Sequence, residues 1–168
     1  RGGIVHRLDK DTSGLMVVAK NEKSLFNLSN QISNRTVTRI YQAFVVGKIS
    51  KSGKIDEPIG RHPSNRQKQS VLFSGKEAIT HYSLGATYGN YSHLFLRLET
   101  GRTHQIRVHL SHLGFPIIGD PLYGRKRRFA KSTDSKLREV IEQFPRQALH
   151  ASSPVSYTHL TLPTIFRV

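Results

Sequence analysis

The stretch SHLFLRLETGRTHQIRVHLSHLG, residues 92–114, decides the class of the fold because its pattern changes from strand to helix. Three leucines over 92–99 alternate with polar or aromatic residues, which predicts a strand with one buried face. After a turn at 100–102, three aliphatic residues recur at the spacing of an amphipathic helix over 103–113. The strand residues are Leu94, Leu96 and Leu98, and the helix residues are Ile106, Leu110 and Leu113. All six are predicted to face the core.

Further segments of both kinds lie on either side of this stretch. Short apolar or β-branched runs predict strands, and apolar residues at helical spacing predict helices, one of them capped by Asn21. The predicted strands are 14–20, 39–46 and 79–86, and the predicted helices are 22–33 and 134–144. Because the two kinds do not alternate strictly, we predict an α+β domain with a mostly antiparallel, mixed sheet flanked by helices.

The length of 168 residues suits one domain, which we place at residues 1–151. The chain begins at Arg1 within what reads as folded sequence, so we interpret it as an N-terminally incomplete domain. Residues 152–168 have one Arg, no acidic residue and two prolines, and lack clean periodicity. We interpret them as a foreign or disordered tail.

Charge is the strongest signal in the composition. Lys and Arg number 26 against 11 Asp and Glu, which gives a net charge of +15 and a pI near 10.6. Such an excess favours a polyanionic partner, nucleic acid above all, over an anionic membrane surface or mere solubility. The absence of cysteine excludes disulfides and thiolate zinc sites and fits a reducing cytoplasm. No run of 18 apolar residues predicts a membrane span.

The segment HRLDKDTSG at residues 6–14 places a carboxylate, Asp9, among cations directly before a predicted strand. A carboxylate held by cations stays ionised and can act as a nucleophile or base. The alternative is a solvated turn. A glycosidase pair of Asp9 and Asp11 is disfavoured because residues two apart usually project side by side rather than across a sugar.

The segment GRTHQIRVH at residues 101–109 joins the alternating strand to the amphipathic helix. Arg102 and Arg107 could present cations to an anion at the helix start, or could be ordinary polar flanks. A metal site on His104, His109 and His112 is disfavoured, because only the last two share a helix face and no acidic residue is near. A helix-turn-helix is disfavoured because no second helix precedes this one at the right distance. Tyr41, within a predicted strand, reads by itself as a packed aromatic.

Together these segments resemble the large-subunit ribosomal RNA pseudouridine synthases, the family with the HRLD catalytic motif. The resemblance runs in motif order from His6 to Ala151. It rests on HRLDKDTSGL at 6–15, RIYQAFVVG at 39–47, LETGRTHQIRVHLSHLGFPIIGDPLYG at 98–124 and RQALHA at 146–151. IDEPIGRHP at 55–63 is similar to one of its members. The family's strands before the HRLD loop and its closing His-Pro strand are not matched here.

The resemblance implies a role for each matching residue. Asp9 would be the nucleophile, Tyr41 would stack on the base and assist proton removal from C5, and Arg107 would pair with the nucleophile. Arg7 would fill the RNA stack where the flipped uridine leaves. The resemblance also implies no cofactor and no metal.

The implied partner is large-subunit ribosomal RNA, and we further predict a cytoplasmic monomer. Its expected RNA-binding residues are His6, Arg7, Arg61, Arg66, Lys68, Arg102, His104, Arg125, Lys126, Arg127 and Arg128. The alternative function is a catalytically impaired fragment that still binds RNA.

Overall fold

A computed structural model describes residues 2–124, 129, 133–155 and 165–167. It contains nine strands and three helices in those ranges. The strands are β1 Ser13–Val17, β2 Thr38–Val46, β3 Gly53–Asp56, β4 Ile59–Arg61, β5 Gln69–Val71, β6 Ile79–Tyr88, β7 Tyr91–Leu98, β8 Leu149–Val155 and β9 Ile165–Arg167. The helices are α1 Glu22–Ser33, α2 Gln105–His112 and α3 Ser135–Gln143.

Seven strands form one mixed sheet in the order β3-β6-β7-β2-β8-β1-β9, and β4 pairs with β5 in a small second sheet. In the described ranges β1 and β8 pair in parallel, whereas the other neighbouring strands pair antiparallel. The prediction of an α+β fold with a mostly antiparallel, mixed sheet is therefore confirmed. None of the helices in the described ranges is both long and apolar enough to cross a membrane.

The main core lies where the face of β7 and β2 meets α2. All three leucines of β7 are buried, as are Ile106 and Leu110 of α2, so these predictions are confirmed. The prediction that Leu113 packs inward is wrong, since 37% of it is exposed. The helix ends at His112 and Leu113 is its C-cap, so the chain leaves the core there.

Several boundaries differ from the sequence prediction. The helix after β7 begins at Gln105 rather than at 103, because His104 takes a left-handed conformation with φ of 56°. Residues 48–77, predicted as polar turns, contain β3, β4 and β5, whose three or four residues are too few to show a period. The domain end predicted at 151 falls inside β8, and β9 pairs with β1. Residues 156–164 of the predicted tail lie outside the described ranges.

Candidate active site

The loop that carries Asp9 is held by residues from the far end of the chain. The side-chain amide of Gln147, only 1% exposed, donates to the carbonyl of Lys10 at 2.6 Å and to Oγ1 of Thr12 at 3.0 Å. The backbone amide of Thr12 donates to the carbonyl of Asp9 at 3.0 Å, which closes a turn. These bonds fix the backbone on which the Asp9 carboxylate stands.

Arg107 of α2 reaches this carboxylate from the opposite side. Its Nη1 donates to Oδ2 of Asp9 at 3.4 Å. The arginine side chain is 4% exposed, whereas that of Asp9 keeps 18% of its surface exposed. The structure therefore brings Arg107 into contact with Asp9 and leaves the carboxylate accessible from the cleft.

Asp120, to which the sequence analysis assigned no role, is the stronger partner of Arg107. Its fully buried carboxylate accepts from Nε at 2.7 Å and from Nη2 at 2.9 Å. Its Oδ1 also accepts from the backbone amides of Leu122 and Tyr123 at 2.9 and 3.0 Å. Burial opposes the charge on both partners, but these bonds outweigh it, so the pKa of Asp120 is lowered and that of Arg107 is raised. The pair is thus ionised and rigid.

Tyr123 connects Arg107 to His104. Its ring lies 5.0 Å from the Arg107 guanidinium, in cation–π contact. Its hydroxyl accepts from the backbone amide of Gln69 at 2.7 Å, and lies 2.8 Å from Nδ1 of His104. Burial is the main cause that lowers the pKa of His104, so the imidazole is neutral. With the hydroxyl donating to Nδ1, the proton of His104 sits on Nε2.

Tyr41 lies in β2, between β7 and β8, and is 8% exposed. Burial raises the pKa of its phenol, and the charge of Arg39 only partly opposes this. The phenol is therefore protonated at neutral pH. A flat aromatic side chain in the same cleft as the Asp9 carboxylate gives a surface on which a planar base can rest.

Residues of both motif segments line one cleft of about 430 Å³, whereas Arg107, Asp120 and Tyr123 are not part of its lining. The cleft brings together Asp9, Tyr41, Arg7, Arg102 and His104. His6, another predicted RNA-binding residue, also lines the cleft. Its Nε2, however, accepts a hydrogen bond from the backbone amide of Val17 at 3.0 Å. Burial, helped by the charge of Arg39, lowers the pKa of His6, so this imidazole is neutral.

Other predicted residues lie farther out. Arg61 and Arg66 are exposed on and beside the β4–β5 hairpin, and Lys68 lies with Nζ 6.0 Å from the Tyr123 ring. Residues 125–128, with the predicted Arg125, Lys126, Arg127 and Arg128, fall outside the described ranges. The structure thus places Lys68 beside Tyr123, and none of these three described residues is in the lining of the cleft.

The disfavoured alternatives gain no support from the geometry. Asp11 is exposed with φ of 67° and does not line the cleft, so it does not face Asp9 across it. His109 is fully buried between Thr80 and the carbonyl of Glu57, whereas His112 is exposed. Within the described part of the chain, no three His, Asp or Glu side chains are grouped as a metal site would require.

Comparison with known proteins assigns the chain that carries this site to one family. The family model described as RNA pseudouridylate synthase matches residues 1–112. The chain belongs to this family. Its domain is similar to human RNA Pseudouridylate Synthase Domain Containing 1, with a TM-score of 0.75 and 29% identity over 98% of this chain and 66% of that one.

Curated bacterial relatives of this family member are more similar in sequence. Ribosomal large subunit pseudouridine synthase D of Pseudomonas aeruginosa is 52% identical over 151 residues, which are 90% of this chain and 47% of that protein. The enzyme of the same name from Pasteurella multocida is 45% identical over 99% of this chain and 54% of its own length. The chain therefore spans about half the length of these relatives.

Proposed function

We propose that this chain isomerises uridine to pseudouridine in large-subunit ribosomal RNA, with Asp9 as the nucleophile and the target base flipped into the cleft. The names of the relatives support large-subunit ribosomal RNA as the substrate, and the residues of the site support the isomerisation of uridine. The observation that carries the proposal is the Asp9 carboxylate, partly exposed at the cleft and hydrogen-bonded to buried Arg107.

The reaction requires a group that holds the ribose while the base is free. The Asp9 carboxylate attacks C1′ and the C1′–N1 bond breaks, so that the electron pair leaves with the uracil. The base then turns and C5 bonds to C1′, which releases the carboxylate. The proton on C5 is lost, and N1 gains one. Atoms and charge balance without an added reactant, in keeping with the implied absence of a cofactor.

The remaining groups supply position and charge. Arg107 holds the Asp9 carboxylate in position through its hydrogen bond before and after the covalent stage. Tyr41 offers a flat surface for the loose base. Because its phenol is protonated, it would assist the loss of the C5 proton through hydrogen bonding rather than as a base. Moving the target uridine out of its stack costs a few kcal/mol, which the insertion of Arg7 and the basic surface offset.

The test compares Asp9→Asn with Asp11→Asn in a pseudouridine assay on a large-subunit ribosomal RNA transcript. Asparagine removes the nucleophilic charge at nearly constant shape, so Asp9→Asn is expected to abolish product while RNA binding persists. Asp11, exposed and outside the cleft, is the matched control, and asparagine tolerates its positive φ. Activity that survives Asp9→Asn would reject the proposal.

The second candidate is a fragment that binds RNA without turnover, favoured by the net charge of +15. It predicts that both variants and the unchanged chain bind RNA equally and that none forms pseudouridine. The product assay therefore separates the two functions. Cytoplasmic location and a monomeric state stay predictions.

A further inference from the structure

Arg39 is a cation of the cleft that the sequence analysis did not single out. It lies in β2, two residues before Tyr41, and lines the same cleft as Asp9. Its Nε is buried and has no hydrogen-bond partner in the described part of the chain. Burial lowers the pKa of its guanidinium, and no carboxylate of the described residues compensates for this.

Two other arginines of the cleft lining are bonded to acceptors of the protein, whereas Arg7 is exposed. Arg35 bonds to the carboxylate of Glu77 at 2.6 and 3.2 Å, and Nε of Arg102 donates to the backbone carbonyl of Glu77 at 2.8 Å. Arg107 bonds to Asp120, as described above. A buried donor without a partner is costly, so the Nε of Arg39, kept in this state inside a binding cleft, indicates an acceptor that arrives with the substrate.

The chain shapes the space around this guanidinium. A Cβ on Gly101 would lie 2.5 Å from Nη1 of Arg39, so the absence of a side chain at residue 101 makes room for it. On the other side, His6 is neutral and has its Nε2 committed to Val17. Residues two apart on a strand project from the same face about 6.6 Å apart, so Arg39 and Tyr41 face the cleft side by side.

We propose that Arg39 binds the phosphate diester next to the uridine whose base rests on Tyr41. The inference rests on the proposed function, since it takes RNA as the substrate. The phosphate is the anionic group of RNA, whereas the carbonyls of uracil are neutral, and a desolvated guanidinium gains most from an anion. The planar fork of arginine also matches two phosphate oxygens. Arg39 therefore positions the nucleotide by its backbone while Tyr41 holds its base.

The test measures RNA binding by the unchanged chain and by Arg39→Met, each with unmodified RNA and with RNA that lacks one phosphate charge. The probe is a seven-nucleotide single strand with one central uridine, and each phosphate in turn is replaced by a neutral methylphosphonate. Methionine keeps the apolar stem, and no described partner loses a bond, so the fold should persist. On unmodified RNA, Arg39→Met is expected to weaken binding roughly ten- to a hundredfold and to reduce the salt slope by about 0.7. On RNA neutralised next to the uridine, the same substitution should change the Kd less than twofold.

Two further variants make the result specific. In Gly101→Ala, the added Cβ pushes on the guanidinium of Arg39. This variant should show the same coupling to the same phosphate, but more weakly than Arg39→Met. Arg35→Met, in the same cleft but paired with Glu77, should show no coupling to that phosphate.

Each outcome bears on a different proposal. Equal losses on both RNAs would place Arg39 on the base or ribose and overturn the phosphate contact, as would unchanged binding. Coupling in the heptamer together with no pseudouridine in the ribosomal RNA transcript would retain the phosphate contact and reject the isomerase. If the unchanged chain binds none of the heptamers, the phosphate contact is rejected, and the transcript assay alone decides on the isomerase.

Discussion

Arg107 and Asp120 form a buried, two-pronged ion pair, in which Nε and Nη2 donate to the two carboxylate oxygens at 2.7 and 2.9 Å. The arrangement leaves Nη1 to meet Asp9 at 3.4 Å. Because two of its nitrogens are fixed, the guanidinium cannot turn away from Asp9. The residue that orients the proposed nucleophile is therefore itself oriented by a carboxylate that has no exposed surface.

Asp120→Asn should weaken both the fold and the site. The variant leaves Arg107 buried without its counter-charge, and breaking a buried pair from one side costs roughly 3 kcal/mol or more. We expect that loss in urea unfolding, together with a marked fall in pseudouridine formation. Asp56→Asn is the control, because the Lys54–Asp56 pair has 49% of each side chain exposed and should leave stability nearly unchanged. Equal stability of the two variants would contradict the assignment.

Tyr123→Phe should separate the hydroxyl of Tyr123 from its ring. The ring contact with Arg107 remains, but the bonds to His104 and to the amide of Gln69 are lost. We expect a loss of about 1–3 kcal/mol in stability and a lower rate of product formation, since the tautomer of His104 is no longer fixed. Tyr88→Phe, at a residue 51% exposed, should change neither measurement. Wild-type values for Tyr123→Phe would show that the hydroxyl has no role.

Gly14→Ala should break the pairing of β1 with β8. An added Cβ would lie 2.2 Å from the carbonyl oxygen of Ala151, and the φ of +124° is itself unfavourable for alanine. We expect destabilisation of roughly 3 kcal/mol or more, the upper end of what backbone strain alone costs. Gly89→Ala has positive φ but open space around it and should cost only about 1–2 kcal/mol. Thermal or urea unfolding compares the two, and a similar loss at both would remove the clash as the cause.

Stability should decline as pH falls below about 6.5, the ordinary pKa of histidine. Burial lowers the pKa of His109, His6 and His104 in the folded protein. The unfolded chain then binds protons that the folded one does not, so this contribution is complete above 6.5 and is lost toward the lower folded pKa. Urea unfolding between about pH 8 and 5 measures it.

His109→Gln is the control for the pH dependence, because glutamine keeps hydrogen-bonding groups at this buried position but does not titrate. The variant should show a shallower decline. Asp120 titrates in a separate, more acidic window, since its lowered pKa makes its contribution disappear only below about 3.8. If the stability of His109→Gln declined as steeply with falling pH as that of the unchanged chain, the effect would belong to other groups.

The elements with a clear period were predictable from the sequence, and the contacts across the fold were not. The alternation of Leu94, Leu96 and Leu98 predicted β7, and the cap at Asn21 predicted α1, because both signals are local. The family motifs predicted that Arg107 meets Asp9. Asp120 and Arg39 were missed because their roles depend on which groups lie opposite their side chains in the folded chain. The strands β3 to β5 were missed because they are too short to show a pattern.

Two signals for the missed residues can be recognised in retrospect. Asp120 is the one acidic residue between Glu99 and Asp134, a segment rich in cations, so an important counter-charge was to be expected there. Arg39 stands two residues before Tyr41, on the same face of a predicted strand. Whether either is paired depends on distances that only the folded chain defines.

The bond between Gln147 and the carbonyl of Lys10 spans 137 residues and has a consequence for how the protein is made. At ordinary translation rates, the segment with Asp9 leaves the ribosome on the order of ten seconds before the residues that restrain it. Contacts of such high sequence separation also form late in folding, because closing the loop costs chain entropy first. The proposed nucleophile is thus synthesised well before the residues that restrain it, and it reaches its working position late in folding.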